Sequence, residues 1–444
     1  MKKNTPVDSG IVKNNIEGSG LRNIGTASIR EIVKIVNQIE RAAGIKFIRM
    51  EMGVPGLLPP SIGTDAEIAA LKRGVASVYP NIEGIRPLKE ETSRFLKLFL
   101  NIDLNPQGCV PTVGSMMGGM ISFLVANRND RAKEGTLFID PGFPVQKQQV
   151  KMLGHDFYSF DVYEYRGKKL KDKLESYLVG GKISSILYSN PNNPSWICFN
   201  EEELQIIGEL ANKYDVIVIE DLAYFGMDFR KDYSKPGQPP FQPSVAHYTD
   251  DYVLLISSSK IFSYAGQRIG MMAISNHLFV RQYPDLLRYY TSDRFGHSVI
   301  FGALYGISGG VAHSTQFGLA AVLKAVNDGQ YKYLDDVKEY GAKAKIMKEI
   351  FISSGFKIVY ARDMEEPLAD GFYFTISYPG FTGQELLEEL LYYGISAISL
   401  DITGSDHHEG IRACVSQVSR DQFGDLEFRL KKFHEDHPIE KEIN

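Results

Sequence analysis

The sequence predicts an α/β protein, a three-layer sandwich with a mostly parallel central sheet, followed by a smaller α+β domain. Three observations predict it. Short apolar runs alternate with helical segments along most of the chain, the pattern that builds a parallel sheet covered on both faces. The runs are β-branched and nearly continuous rather than alternating, as strands buried on both sides are. Several of them end in polar and charged residues, at the carboxyl edge where open parallel sheets bind ligands.

The chain has 444 residues, of which 43% are hydrophobic and 23% charged, enough to bury a large core in two or three structural units. A formal net charge of -5 gives no support for a nucleic-acid or polyanion partner. No apolar stretch is long enough for a membrane span, and the start "MKKNTPVDSGIVKNNIEG" lacks the apolar run of a signal peptide. The three cysteines, Cys109, Cys198 and Cys414, are dispersed and odd in number, which argues against a zinc site or disulfide framework and for the cytoplasm.

Residues 1–55 are expected to form an amino-terminal arm and part of the small domain, 56–325 the large domain and 326–444 the small carboxy-terminal domain. "TDAEIAALKRGVAS" reads as a helix opened by a capping box of Thr64 and Glu67, and "NEEELQIIGELANKY" repeats the device with Asn200 and Glu203. "VPTVGSMMGGMISFLV" places Gly114 before a helical run. "GTLFIDPGF", "KISSILYSNP", "DVIVIEDLAY" and "YVLLISSSK" read as buried strands, and the Pro-rich stretch 233–243 as a surface loop. "NDGQYKYLDDVKEYGAKAKIMKEIFISSG" is expected to be one long helix stopping at Gly355. "GFYFTISYP", "QELLEELLYYG" and "IRACVSQV" then give strand, helix and strand.

The strand ends bring together Asp140-Pro141-Gly142-Phe143, Asn190 to Pro194, Asp221 to Tyr224, and "SSSKIFSYAGQRIG" from Ser257 to Gly270. They supply an aromatic ring, amides, a carboxylate, a phenol, hydroxyls, an amine and a guanidinium. Pyridoxal phosphate needs such a set: a lysine for its aldehyde, an acid for its ring nitrogen, donors for its ring oxygen and a cradle for its phosphate.

The chain resembles the fold-type I pyridoxal-phosphate enzymes, class I/II aminotransferase family, from about Gly53 to Arg412. The pattern S-x-S-K-x5-G-x-R-x-G is matched at every defined position between Ser257 and Gly270. The resemblance implies that Lys260 holds the cofactor aldehyde and later moves the Cα proton, and that Asp221 keeps the pyridine nitrogen protonated. Tyr224 and Asn193 would bond the ring oxygen, and Phe143 would stack on the ring. Ser115, Met116, Ser257 and Arg268 would hold the phosphate, and Tyr79 of "VYPNIEGIRPLKE" would reach the phosphate of a neighbouring subunit in a homodimer with shared active sites. Arg412 would clamp the substrate α-carboxylate, with Gly53 lining the same pocket.

Two departures stand out. Family members usually follow the Asn-Pro turn with Thr-Gly, whereas Ser195-Trp196 stands here and supplies the only tryptophan. "LDITGSDHHEG" lacks the Pro-Gly-x-x-Phe pattern common before the carboxylate-binding arginine. Adjacent His407 and His408 point apart and have no matching acid cluster, so no metal is expected. Arg288 and Arg294 lie where dicarboxylate-specific relatives carry a second arginine, a hint of an acidic substrate. The expected function is transfer of an amino group between an amino acid and a 2-oxo acid. The same socket also suits a C–S lyase or decarboxylase, or a non-catalytic effector domain that binds the cofactor; against the last, no helix-turn-helix is evident before Gly53.

Overall fold

A computed structural model of the protein describes residues 5–133 and 135–439; residues 1–4 of the expected amino-terminal arm and 440–444 of the expected small domain lie outside them. The chain forms two compact units. The larger comprises Leu57–Asn192 and Cys198–Val337, the other Met1–Gly56, Asn193–Ile197 and Lys338–Asn444.

The larger unit holds a seven-stranded sheet. Its strands are β1 (Cys109–Thr112), β2 (Gly135–Asp140), β3 (Phe157–Asp161), β4 (Ile183–Ser189), β5 (Ile217–Asp221), β6 (Tyr252–Ser257) and β7 (Gly270–Ile274). Their order is β1-β7-β6-β5-β4-β2-β3. Strands β2 to β6 pair in parallel, and only β7 runs antiparallel, to both β6 and β1. Every residue of β1, β2, β4, β5, β6 and β7 is buried, which is why these segments read as continuous apolar runs. The helix Gly114–Ala126 lays Ile121, Phe123 and Val125 into a core shared with Phe138, Leu187, Ile219 and Leu255.

The capping box at Asn200 is present: its side chain accepts from the Glu203 N–H at 2.9 Å, and Glu203 accepts from the Asn200 N–H at 3.1 Å. The box expected at Thr64 is not. That helix runs Ser61–Lys72 and starts from Pro60, whose φ of -64° suits the position without a side-chain cap. Thr64 therefore lies inside the helix and donates to the Ser61 carbonyl at 3.0 Å, while Glu67 is taken by the Tyr264 hydroxyl at 2.9 Å.

The long helix also starts later than expected. Gly329, with φ of +68°, closes the helix His313–Asn327, and the next helix covers Tyr333–Ser353 before Gly355 at φ +86°. Within the stretch 233–243 Lys235 and Gly237 to Pro240 are exposed, but Tyr233 and Gln242 are buried; Gln242 accepts from the Gly226 N–H and donates to the Asn190 carbonyl.

The other unit contains a four-stranded antiparallel sheet, ordered Ile398–Ser399, Ile411–Cys414, Tyr373–Ser377 and Lys357–Ile358. Phe351, Phe356, Phe374, Tyr378 and Phe433 join in edge-to-face and tilted contacts between this sheet and the helices Tyr333–Ser353 and Phe423–Asp436. Ile48–Arg49 pairs in parallel with Ile395–Ser396, tying the amino-terminal segment to this unit.

Candidate active site

In the larger unit the sheet register gathers the chemistry. Thr112 and Ser257 both lie opposite Gly270, so β1 and β6 end, and β7 begins, along one row. Gly114 follows β1 with φ of +69°, and the helix it opens exposes its first N–H groups at Ser115 and Met116. A Cβ at Gly114 would lie 2.7 Å from Arg268 Nη2, so the guanidinium rests on the backbone at this helix start. A Cβ at Gly270 would lie 3.1 Å from the Ser115 nitrogen, so both glycines are needed for the close approach. Arg268 is exposed, adopts φ of +50°, and donates through Nη1 to the Ala265 carbonyl at 2.9 Å.

Ser257 caps the short helix Ser258–Ile261 by accepting from the Ser259 N–H at 3.2 Å, which leaves its own O–H as a donor. Ser258 donates to the Ile269 carbonyl and so fastens the segment carrying Lys260 to the one carrying Arg268. Lys260 is half-buried. Together these groups form a cationic, donor-rich cup at a helix N-terminus, suited to a phosphate dianion.

Asp221 ends β5 and is buried. Its Oδ2 accepts from Gln146 Nε2 at 2.8 Å and its Oδ1 from the Ala223 N–H at 3.1 Å. Burial pushes its pKa up to about 6 against these two donors, so the acid is poised to gain from a cationic N–H partner. Tyr224 is buried in the turn that follows. Phe143 is half-buried and precedes the helix Pro144–Met152, which carries Gln146. Gln146 was not singled out from the sequence; its position three residues after Phe143, on the first turn of a helix leaving a strand end, is the signal that points to it.

In the other unit Arg412 projects from Ile411–Cys414 and is 1% exposed. Its Nη1 donates to Asn193 Oδ1 at 3.2 Å and its Nη2 to the Glu51 carbonyl at 2.6 Å, while its Nε is buried without an acceptor. Its guanidinium carbon lies 4.4 Å from the centre of the Tyr373 ring. A Cβ at Gly53 would fall 2.0 Å from the Tyr373 hydroxyl, which places Gly53 beside the same cluster. Tyr373 and the Glu51 carbonyl are partners that residue type alone does not reveal.

Tyr79 is 95% exposed. Arg288 folds onto the Asp285 carbonyl and the Tyr289 ring, and Arg294 is exposed. His407 and His408 pair with different carboxylates, Glu409 at 3.2 Å and Asp401 at 2.7 Å, and the second contact holds the His408 pKa above its ordinary value.

The probable aspartate aminotransferase of Methanocaldococcus jannaschii is 26% identical over 59% of this chain and 64% of its own length, so the alignment spans somewhat less than two thirds of that relative. The LL-diaminopimelate aminotransferase of Natranaerobius thermophilus is 24% identical over 77% of this chain and 81% of its own. Among solved structures, substrate-bound BacF from Bacillus subtilis superposes with a TM-score of 0.74 over 92% of this chain and 96% of its own; at 17% identity this likeness shows the fold. The family profile for "Aminotransferase class I and II" matches residues 47–422, and the chain belongs to that family.

Proposed function

We propose that the protein is a pyridoxal-phosphate-dependent aminotransferase that moves an amino group between an amino acid and a 2-oxo acid. Class I and II aminotransferases of this fold use pyridoxal 5′-phosphate, which when bound supplies the electron sink for breaking a bond at Cα. The observation that carries the reading is the close approach of Gly114, Ser115 and Arg268 at a helix N-terminus, beside Ser257 and the segment that presents Lys260. The buried acid Asp221, held by Gln146, has the chemistry to face a protonated ring nitrogen.

On this reading Ser115 and Met116 donate their backbone N–H groups, Ser257 its hydroxyl and Arg268 its guanidinium to the phosphate. Tyr224 and Asn193 would serve as donors to the ring oxygen, and Phe143 would supply an aromatic face for the ring. Lys260 Nζ would hold the cofactor aldehyde and, once free, would move a proton from and to the substrate Cα. Arg412 docks the α-carboxylate beside Gly53, using the buried Nε–H and the terminal N–H groups not given to Asn193 and Glu51.

We also assign the larger unit as the cofactor-binding domain and the other as the small domain. Leu58, Val78, Tyr79, Phe301 and Tyr305 are exposed apolar side chains of the larger unit and support a homodimer in which Tyr79 reaches the partner's phosphate. Three cysteines dispersed along the chain support the cytoplasm.

The test is the visible absorbance of the loaded enzyme with each amino acid in a panel. Conversion of the cofactor to its amino form with release of the matching 2-oxo acid, reversed by a second 2-oxo acid, is the expected result. Release of ammonia or carbon dioxide without that reversal would overturn the assignment.

A further inference from the structure

Trp196 follows Ser195 directly after the Asn193-Pro194 turn, and its backbone is in the left-handed region at φ +63°. A bulky residue adopts that conformation only where its surroundings over-determine it. Here the indole is fully buried, flat against Gly371: a Cβ there would fall 1.9 Å from Trp196 Cε2. Its ring meets Tyr373 at 6.1 Å with an interplanar angle of 66°, an edge-to-face contact. Tyr373 in turn lies under Arg412, 4.4 Å from ring centre to guanidinium carbon.

The sheet register explains the second contact. Arg412 pairs with Thr375 and Tyr373 with Cys414, so Arg412 and Tyr373 are diagonal neighbours on one face. Asn193 and the Glu51 carbonyl bond the two terminal nitrogens, which sets the guanidinium within its plane. The ring beneath sets the tilt of that plane. A carboxylate fork needs both, because two parallel N–H···O bonds form only when the plane is presented edge-on.

We propose that Trp196 is a positioning residue for carboxylate recognition: it wedges Tyr373 in place, and Tyr373 holds the Arg412 guanidinium in the tilt that presents its remaining N–H edge to the substrate. The inference rests on the reading of Arg412 as the carboxylate clamp. It assigns to Trp196 a function of its own.

The wedge acts equally on bound substrate and transition state, so its loss falls on KM and on the Kd of 2-oxo acids more than on kcat. In Tyr373→Leu both are expected to rise about tenfold, with kcat within about threefold of wild type. Tyr373→Phe keeps the ring face and is expected to restore both to within about twofold. Trp196→Gly relieves the left-handed strain and removes the wedge, so KM rises even if stability does not fall. Trp196→Phe and Gly371→Ala, which trims or displaces the indole, give the same readout should Trp196→Gly fail to fold.

The experiment titrates the holoenzyme with pyruvate and with 2-oxoglutarate, following the emission of Trp196, the only tryptophan in the chain, alongside steady-state kinetics. The expected result is an emission change on saturation that Arg412→Met abolishes, and a raised Kd in Tyr373→Leu. An unaltered KM in folded Trp196→Gly, or a wild-type emission indifferent to a 2-oxo acid that kinetics show to be bound, would overturn the proposal. A wild type that transfers no amino group from any amino acid would instead overturn the reading of the site on which it rests.

Discussion

Asp221→Asn is expected to stabilise the cofactor-free protein at pH 8 while crippling it as a catalyst. The carboxylate is buried, its two donors are a neutral amide and a backbone N–H, and burial lifts its pKa from 3.8 to about 6. Because the folded value lies above the unfolded one, the unfolded chain releases its proton first. Stability is therefore full below pH 4, falls as the pH rises towards 6, and stays lost above it. Carrying the charge at pH 8 costs roughly 3 kcal/mol. Asparagine avoids that cost, and a rotation of the Gln146 amide lets it keep both hydrogen bonds for about 1 kcal/mol of rearrangement. The net gain of about 2 kcal/mol corresponds to a Tm rise of about 4–8 °C for a unit of this size. Thermal unfolding of cofactor-free wild type and variant at pH 4.5 and pH 8 checks it: the gap should open at pH 8 and close at pH 4.5. A variant no more stable at pH 8, or a gap independent of pH, would refute the view of Asp221 as an uncompensated buried charge held for a cationic partner.

Lys260→Ala is expected to abolish amino transfer while leaving the fold intact, and transfer retained in that variant would remove Lys260 from the mechanism. Gly114→Ala places a methyl 2.7 Å from Arg268 Nη2 at a φ of +69°, so cofactor affinity should fall at least tenfold, read by equilibrium dialysis, with stability lower by about 1–2 kcal/mol. Asn200→Ala removes a capping box and should cost about 1 kcal/mol in urea unfolding, whereas Thr64→Ala, which only loses a hydroxyl bonded within its own helix, should cost under about 0.5 kcal/mol.

Much of this was legible in the chain because the signals are local. A strand buried on both faces must be apolar throughout, so β2, β4, β5 and β6 announced themselves. Ser257, Lys260 and Arg268 fall within one short motif, so the cup proposed for a phosphate could be picked out along the chain. Where a local signal had a competitor, it failed. Thr64 and Glu67 have the spacing of a capping box, but Pro60 starts the helix a turn earlier and Tyr264, distant in sequence, claims the glutamate. The long helix predicted from Asn327 lost its first turn because Gly329 ends the helix before it.

The sequence by itself determined the fold class, the family and the residues that recur at short range: the hydroxyls, lysine, arginine and acid at the strand ends. Only the tertiary structure decided their partners. Gln146 is 75 residues from the Asp221 it bonds, and Asn193 is 219 from Arg412. Trp196 under Tyr373, and Tyr373 under Arg412, join three segments whose proximity depends on sheet register and on where the chain doubles back. Short spacings are set by backbone geometry and are readable along the chain. Contacts between distant segments are set by packing, which residue order alone does not encode position by position.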